Sequence, residues 1–208
     1  MYYANVREEE LKNKVGKDYF ANFDTTKIVG NVDFCVTFSH QGKQEFLFED
    51  DTRSLLWAEA KRGNADIYKS VVQLILTIGK ARTFDKELPP AFLGAFDAEK
   101  IAFIPYSNIQ EVFYQNDFNW NVTPSNHETK EFKQIQEKVR SSIENNSLLF
   151  NFETDETELK LFIKTNFVVG KSGLSKIQVD KNNFISIYSK WLQKVKLICL
   201  KQDYSPKL

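Results

Sequence analysis

Cysteine, long apolar runs and net charge are all scarce in this chain, and each scarcity removes a class of protein. Cys35 and Cys199 are the only cysteines, too few and too far apart for a disulfide framework. No Cys/His spacing suits zinc, and Cys35, inside a strand pattern, reads as a small buried residue. No apolar run approaches the ~20 residues that span a bilayer. The opening residues 1–7 lack the basic-then-apolar signal for export, so the expected location is cytoplasmic, with no membrane partner. Repeats and low-complexity segments are missing as well. The formal net charge is +0, which is not the footprint of a protein that holds nucleic acid by bulk charge.

What is present fits an ordinary globular protein. At 208 residues the chain is long enough for one sizeable domain, or one domain plus an appendage. Its 18 Phe, 8 Tyr and 3 Trp favour a packed core built with strands. Charge is unevenly spread: ten Lys lie in residues 160–208 against only Asp180 and Asp203, whereas Glu8, Glu9 and Glu10 open the chain. A basic C-terminal third is able to track a phosphate backbone, although solvated surface is the commoner use.

Patterning predicts a short charged helix over 7–15 closed near Gly16, a loop containing Asp24, and strands over 32–39 and 45–48. Another strand covers Leu55 to Lys61. Ile67, Val71, Leu74, Ile75 and Ile78 then mark a core-facing helical stripe, capped by Asn64 or Asp66 and ended by Gly79. Strands over 92–96 and 101–105 follow. The stretch 117–127 is an expected ordered loop, because its aromatics need burial. A helix over 129–144, a strand over 159–164 and a helix over 184–197 complete the reading. The alternation points to an α/β sandwich with a mixed sheet. The expected division is a core over 1–125 and a mostly helical, Lys-rich extension over 126–208; residues 205–208 are an ordinary tail, compatible with a piece of a longer polypeptide.

Leu55-Leu56-Trp57-Ala58-Glu59-Ala60-Lys61 is the informative segment. Successive strand residues alternate faces, so Leu55, Trp57, Glu59 and Lys61 are expected on one side. A carboxylate and an ammonium at the end of an apolar strand are costly unless each has a partner. A divalent metal and a phosphate are suitable partners, which points to a metal-dependent nuclease. Glu-x-Lys by itself says little, because it recurs at Glu10/Lys12, Glu128/Lys130, Glu131/Lys133 and Glu158/Lys160. Those four read as solvated helix or strand surface.

Hydrolysing a phosphodiester needs an aimed nucleophile and relief of charge on the phosphate. Two carboxylates can hold one or two Mg²⁺ ions, Mn²⁺ substituting, that bind water and polarise the phosphoryl oxygens. A lysine orients the water or neutralises developing charge. Glu59 and Lys61 fill two of these roles, with the Ala60 carbonyl as a further oxygen ligand. Asp33 is the expected second carboxylate, provided its strand pairs antiparallel with that of Glu59. Residues 40–53 must then loop out as an extra hairpin; in a simple meander the two carboxylates fall at opposite ends. Asp50 and Asp51 are the fallback. Gln73, within the apolar helix, is either a satisfied core amide or a hydrogen bonder of the site. Lys80, Arg82, Glu10 and His127 read more simply as surface or loop residues.

The order helix, Asp-bearing strand, Glu-x-Lys strand, helix, strand resembles the PD-(D/E)XK nuclease superfamily. Longer stretches, 30–36, 56–61, 73–82 and 116–121, resemble the N-terminal region of single-chain bacterial restriction–modification polypeptides of the type IIG kind. The resemblance implies a restriction-endonuclease-like α/β/α sandwich with a central mixed sheet and a helical basic C-terminal extension. It also implies Mg²⁺-dependent cleavage of double-stranded DNA: Asp33 and Glu59 binding metal, Lys61 catalytic and Gln73 supporting. Neither a glycine-rich cofactor loop nor an Asn-Pro-Pro-Tyr-type motif is present, so an adenine-specific methyltransferase domain is expected elsewhere in such a polypeptide. Competing readings are a catalytically inactive DNA-binding or docking module of a larger DNA-modifying enzyme, and a structural domain in which Glu59 and Lys61 form a salt bridge.

Overall fold

The computed structural model describes residues 2–38, 54–168 and 188. One six-stranded mixed sheet organises them. Its strands, in both chain and spatial order, are β1 (Phe23–Asp24), β2 (Phe34–Phe38), β3 (Ser54–Ala60), β4 (Phe92–Phe96), β5 (Lys100–Pro105) and β6 (Leu148–Asn151). Only β3 and β4 run parallel, joined through the crossover helix α2 (Ile67–Ala81) and the short α3 (Thr83–Lys86); every other neighbouring pair is antiparallel.

The helices divide between the two faces of the sheet. Helix α2 and α4 (Lys130–Asn146) share one cluster with Cys35, Trp57, Leu93, Ala95, Ala102 and Ile104. On the other face, α1 (Glu8–Tyr19) and α5 (Glu156–Ile163) pack with Phe34, Val36, Leu56, Ala58, Phe96 and Phe103. Alternate residues of each strand thus feed two cores, as the period of two requires. Helices on both faces account for β3, whose seven residues are all buried.

Leu55 departs from the alternation. It joins the α1 cluster rather than that of Trp57, because pairing steps from Val36↔Leu56 to Thr37↔Ser54 and leaves Leu55 as the extra residue of a bulge. Helix α1 runs through Gly16 to Tyr19. Helix α2 likewise runs through Gly79, and Arg82 ends it in the left-handed conformation. Gly79 serves packing instead: a Cβ there would lie 1.9 Å from the Trp120 ring. Trp120 and Phe118, from the 117–127 loop, pack against the α2 cluster, so the aromatics of that loop are accommodated.

The strand expected over 159–164 is helix α5. Leu159, Leu161 and Ile163 fall at a spacing of two, but Leu159 and Ile163, one helical turn apart, are buried while Leu161 is exposed. A single π-helical turn (Lys164–Val168) continues it. The missed strand is β6, which pairs with β5 and forms an edge of the sheet. Described residues beyond 125 contribute to the same sheet and core. Phe132, Ile135, Val139 and Ile143 of α4 fill the α2 cluster, and β6 extends the same sheet. The strand expected over 45–48, the helix expected over 184–197 and the rest of the Lys-rich extension beyond residue 168 lie outside the described residues, Tyr188 excepted. No helix among those described is long and apolar enough to cross a membrane.

Candidate functional site

Strand register brings Asp33 beside Glu59. Phe34 pairs with Ala58 in the antiparallel β2–β3 ladder, so the residue before β2 meets the end of β3. The intervening chain leaves β2 after Phe38 and rejoins β3 at Ser54, five residues or roughly 16 Å from Glu59. Asp50 and Asp51 themselves lie outside the described residues. At the site end, β3 outruns β2, and the Ala60 N–H takes the Asp33 Oδ2 as its acceptor at 3.2 Å. A strand residue directs its N–H and C=O to the same side, so the Ala60 carbonyl faces this edge too.

Glu59 is 3% exposed, on the α2 face of β3. Lys61 Nζ and Gln73 Nε2 both donate to its Oε1, each at 2.6 Å. Gln73 reaches it because α2, after a short connection from β3, folds back over the sheet. The Asp66 side chain accepts from the Lys69 N–H and caps the helix. Lys61 keeps its side chain partly open to solvent while its ammonium turns inward. Burial above all, then the Asp33 charge, pushes the Glu59 carboxyl up to about 7, and Lys61 only partly opposes them.

The remaining sequence candidates are occupied elsewhere. Glu10 pairs with Lys14 on the exposed face of α1. Lys80 donates to the Val122 carbonyl at 2.7 Å, tethering the aromatic loop to α2. Arg82 pairs with Asp85 and lies over the Phe84 ring. His127 stacks on Phe132. Among the Glu-x-Lys pairs, Glu59 and Lys61 bond to each other. In two of the helical ones, Lys12 turns to Glu9 and Lys160 to Glu156. Helical neighbours lie three or four apart, whereas residues two apart share a face only in a strand.

The donor set suits Mg²⁺ better than a metal needing a complete protein cage. Among the described residues no group of three or more His, Cys, Asp or Glu side chains converges. Two carboxylates and a backbone carbonyl are hard oxygen donors, and Mg²⁺ commonly uses one or two carboxylates plus waters and substrate phosphates. A divalent charge would also offset the enforced proximity of Asp33 and Glu59.

Sequence reasoning passed over Asp97, which is fully buried one strand away. Its signal was faint: Asp97-Ala98-Glu99-Lys100 between two apolar strands reads as an ordinary polar turn. A scan against protein-family models, a search of curated proteins and a search of solved structures each return no match for the chain.

Proposed function

We propose that the chain is a metal-dependent endonuclease domain that hydrolyses DNA phosphodiester bonds. It is read as a restriction-endonuclease-like domain of the PD-(D/E)XK kind with a helical, basic C-terminal extension. Its place is in a cytoplasmic restriction–modification system whose methyltransferase domain lies outside these residues. One observation carries the reading: a buried glutamate beside a second carboxylate, held by a lysine and a glutamine 2.6 Å away at the end of a central strand.

Each residue has a task in this reading. Asp33 and Glu59 would hold the metal, and the Ala60 carbonyl would offer a third oxygen. Gln73 fixes the Glu59 carboxylate by occupying Oε1, so its orientation does not depend on the metal. Lys61, solvent-accessible at one end and anchored at the other, moves its ammonium from Glu59 toward the attacking water or the scissile phosphate when substrate arrives. Mg²⁺, when bound, supplies positive charge against the phosphoryl oxygens and lowers the pKa of the attacking water.

Plasmid cleavage with Mg²⁺ or Mn²⁺, comparing wild type with Lys61→Ala, tests the assignment. Metal-dependent nicking or linearisation by wild type alone supports it. Undiminished cleavage by a clean Lys61→Ala preparation sinks the role of Lys61. A wild type that binds double-stranded DNA yet cleaves under neither metal favours a non-catalytic DNA-binding module.

A further inference from the structure

A second buried carboxylate sits at the same end of the sheet as the candidate site, on the neighbouring strand. Asp97, directly after β4, is 0% exposed. Its Oδ1 accepts from the backbone N–H groups of Glu99 at 2.7 Å and Lys100 at 3.0 Å, closing the β4–β5 turn. Its Oδ2 does something different. It accepts from the Ala65 N–H at 2.9 Å and lies 3.0 Å from Lys100 Nζ. Ala65 belongs to the connection that leads from Lys61 to the cap of α2, so one carboxylate joins two loops.

Four further hydrogen bonds tie that connection to the β4–β5 turn. Beyond Ala60↔Phe96 the parallel ladder ends with Lys61 N–H donating to the Phe96 carbonyl. The chain then turns through Gly63, at φ +74, where L side chains are disfavoured. Gly63 accepts from the Ala98 N–H at 2.9 Å. Asn64 donates to Glu99 and accepts from Lys100 Nζ, each at 2.7 Å. Every tie from residues 61–65 to the 96–100 turn is thus a hydrogen bond, and only the Asp97 tie is made by a buried side chain. This connection starts at Lys61 and ends at the α2 cap, Asp66, about two turns ahead of Gln73. Its path sets both groups that meet on Glu59 Oε1.

We propose that Asp97 is a positioning residue of the candidate site: its Oδ2 pins the 61–65 connection to the β4–β5 turn, and so aims Lys61 and Gln73 at Glu59. The catalytic consequence rests on the nuclease reading; the geometric one does not. Asp33 and Glu59 are placed independently by the β2–β3 ladder. Loss of the pin therefore disturbs the donors on Glu59 and leaves the carboxylate pair in place.

Asp97→Asn separates this role from turn closure. The amide oxygen still serves the Glu99 and Lys100 N–H groups, as asparagine does in such turns. Its NH₂ then faces the Ala65 N–H and the Lys100 ammonium, donor against donor. The readout is the Gln73 side-chain amide resonance in ¹⁵N-labelled protein, assigned with Gln73→Glu, together with cleavage kinetics. In a folded Asp97→Asn protein the Gln73 signal moves toward solvent-exposed values. In parallel, kcat falls at least tenfold while DNA affinity in Ca²⁺ stays within twofold. An unmoved Gln73 signal in the folded variant overturns the proposal whatever the cleavage result. A moved signal in a protein whose wild type never cleaves upholds the positioning role and removes the nuclease reading instead. Should Asp97→Asn not fold, Ala65→Pro, which removes the N–H that Oδ2 accepts and leaves the turn-closing bonds to Oδ1 intact, carries the test. A smaller shift of the same signal supports the pin; no shift overturns it.

Discussion

Glu59 and Asp97 are both buried carboxylates at the ends of adjacent parallel strands, yet their surroundings are built from different donors. Asp97 receives three backbone N–H groups and one ammonium, shared between its two oxygens. Glu59 receives two side-chain donors on one oxygen and faces a second carboxylate. Backbone donors are held by the fold and do not move during a reaction. Side-chain donors of a lysine and a glutamine are adjustable, and a carboxylate partner invites a cation. The difference teaches which buried charge the fold fully compensates and which it leaves incompletely compensated, the feature on which the proposed function rests.

Lys61→Ala breaks the comparison most severely on the chemical side. Cleavage is expected to fall by about 10³-fold, or about 4 kcal/mol of barrier, with far-UV circular dichroism unchanged. Asp97→Ala breaks it on the structural side. Orphaning four donors in a buried turn should cost about 3 to 4 kcal/mol in urea unfolding, with loss concentrated in stability rather than metal affinity.

Glu59→Gln inverts that result. Glu59 holds its proton up to about pH 7 in the folded protein, against an ordinary value of 4.5 in the unfolded chain. The folded state therefore binds more protons between those limits. Stability is highest below 4.5, is lost as pH rises toward 7, and is then flat, a loss of about 3 kcal/mol. The Gln73 and Lys61 donors retain an acceptor in Glu59→Gln, and no charge remains to be desolvated. In metal-free buffer that variant should match wild type near pH 4.5 and exceed it by about 3 kcal/mol at pH 8. Equal unfolding curves at pH 8 would show that Glu59 pays no burial penalty.

The smallest expected effect is metal stabilisation. Mn²⁺ or Mg²⁺ at ten times its dissociation constant should add about 1.4 kcal/mol at pH 8, reversed by chelation. The gain should shrink at pH 5.5, where the metal must displace a proton from Glu59, and vanish in Glu59→Gln. Thermal shifts that persist in that variant would place the metal elsewhere.

Much of the site was legible before the fold. The apolar run from Leu55 ending in Glu59 and Lys61 declares a buried charge because strand alternation is local geometry. The α2 stripe is equally local, and it carries Gln73 on a helix that must pack against the sheet. The strand that became α5 misled because Leu159, Leu161 and Ile163 fit a period of two as well as a helix, and only packing exposed Leu161. Gly79 looked like a helix end; the Trp120 ring that requires a glycine there is 41 residues away in sequence.

By itself the sequence determined that Glu59 and Lys61 share a strand face and that α2 buries one stripe, since both follow from backbone periodicity. Only the tertiary structure decided that Asp33 meets Glu59, that Gln73 bonds to it, and that Asp97 pins the connection between them. Those facts depend on antiparallel register, on a crossover helix folding back over its strand, and on two loops meeting beyond the ends of adjacent central strands. Each is a contact between segments distant along the chain, and no local propensity encodes it.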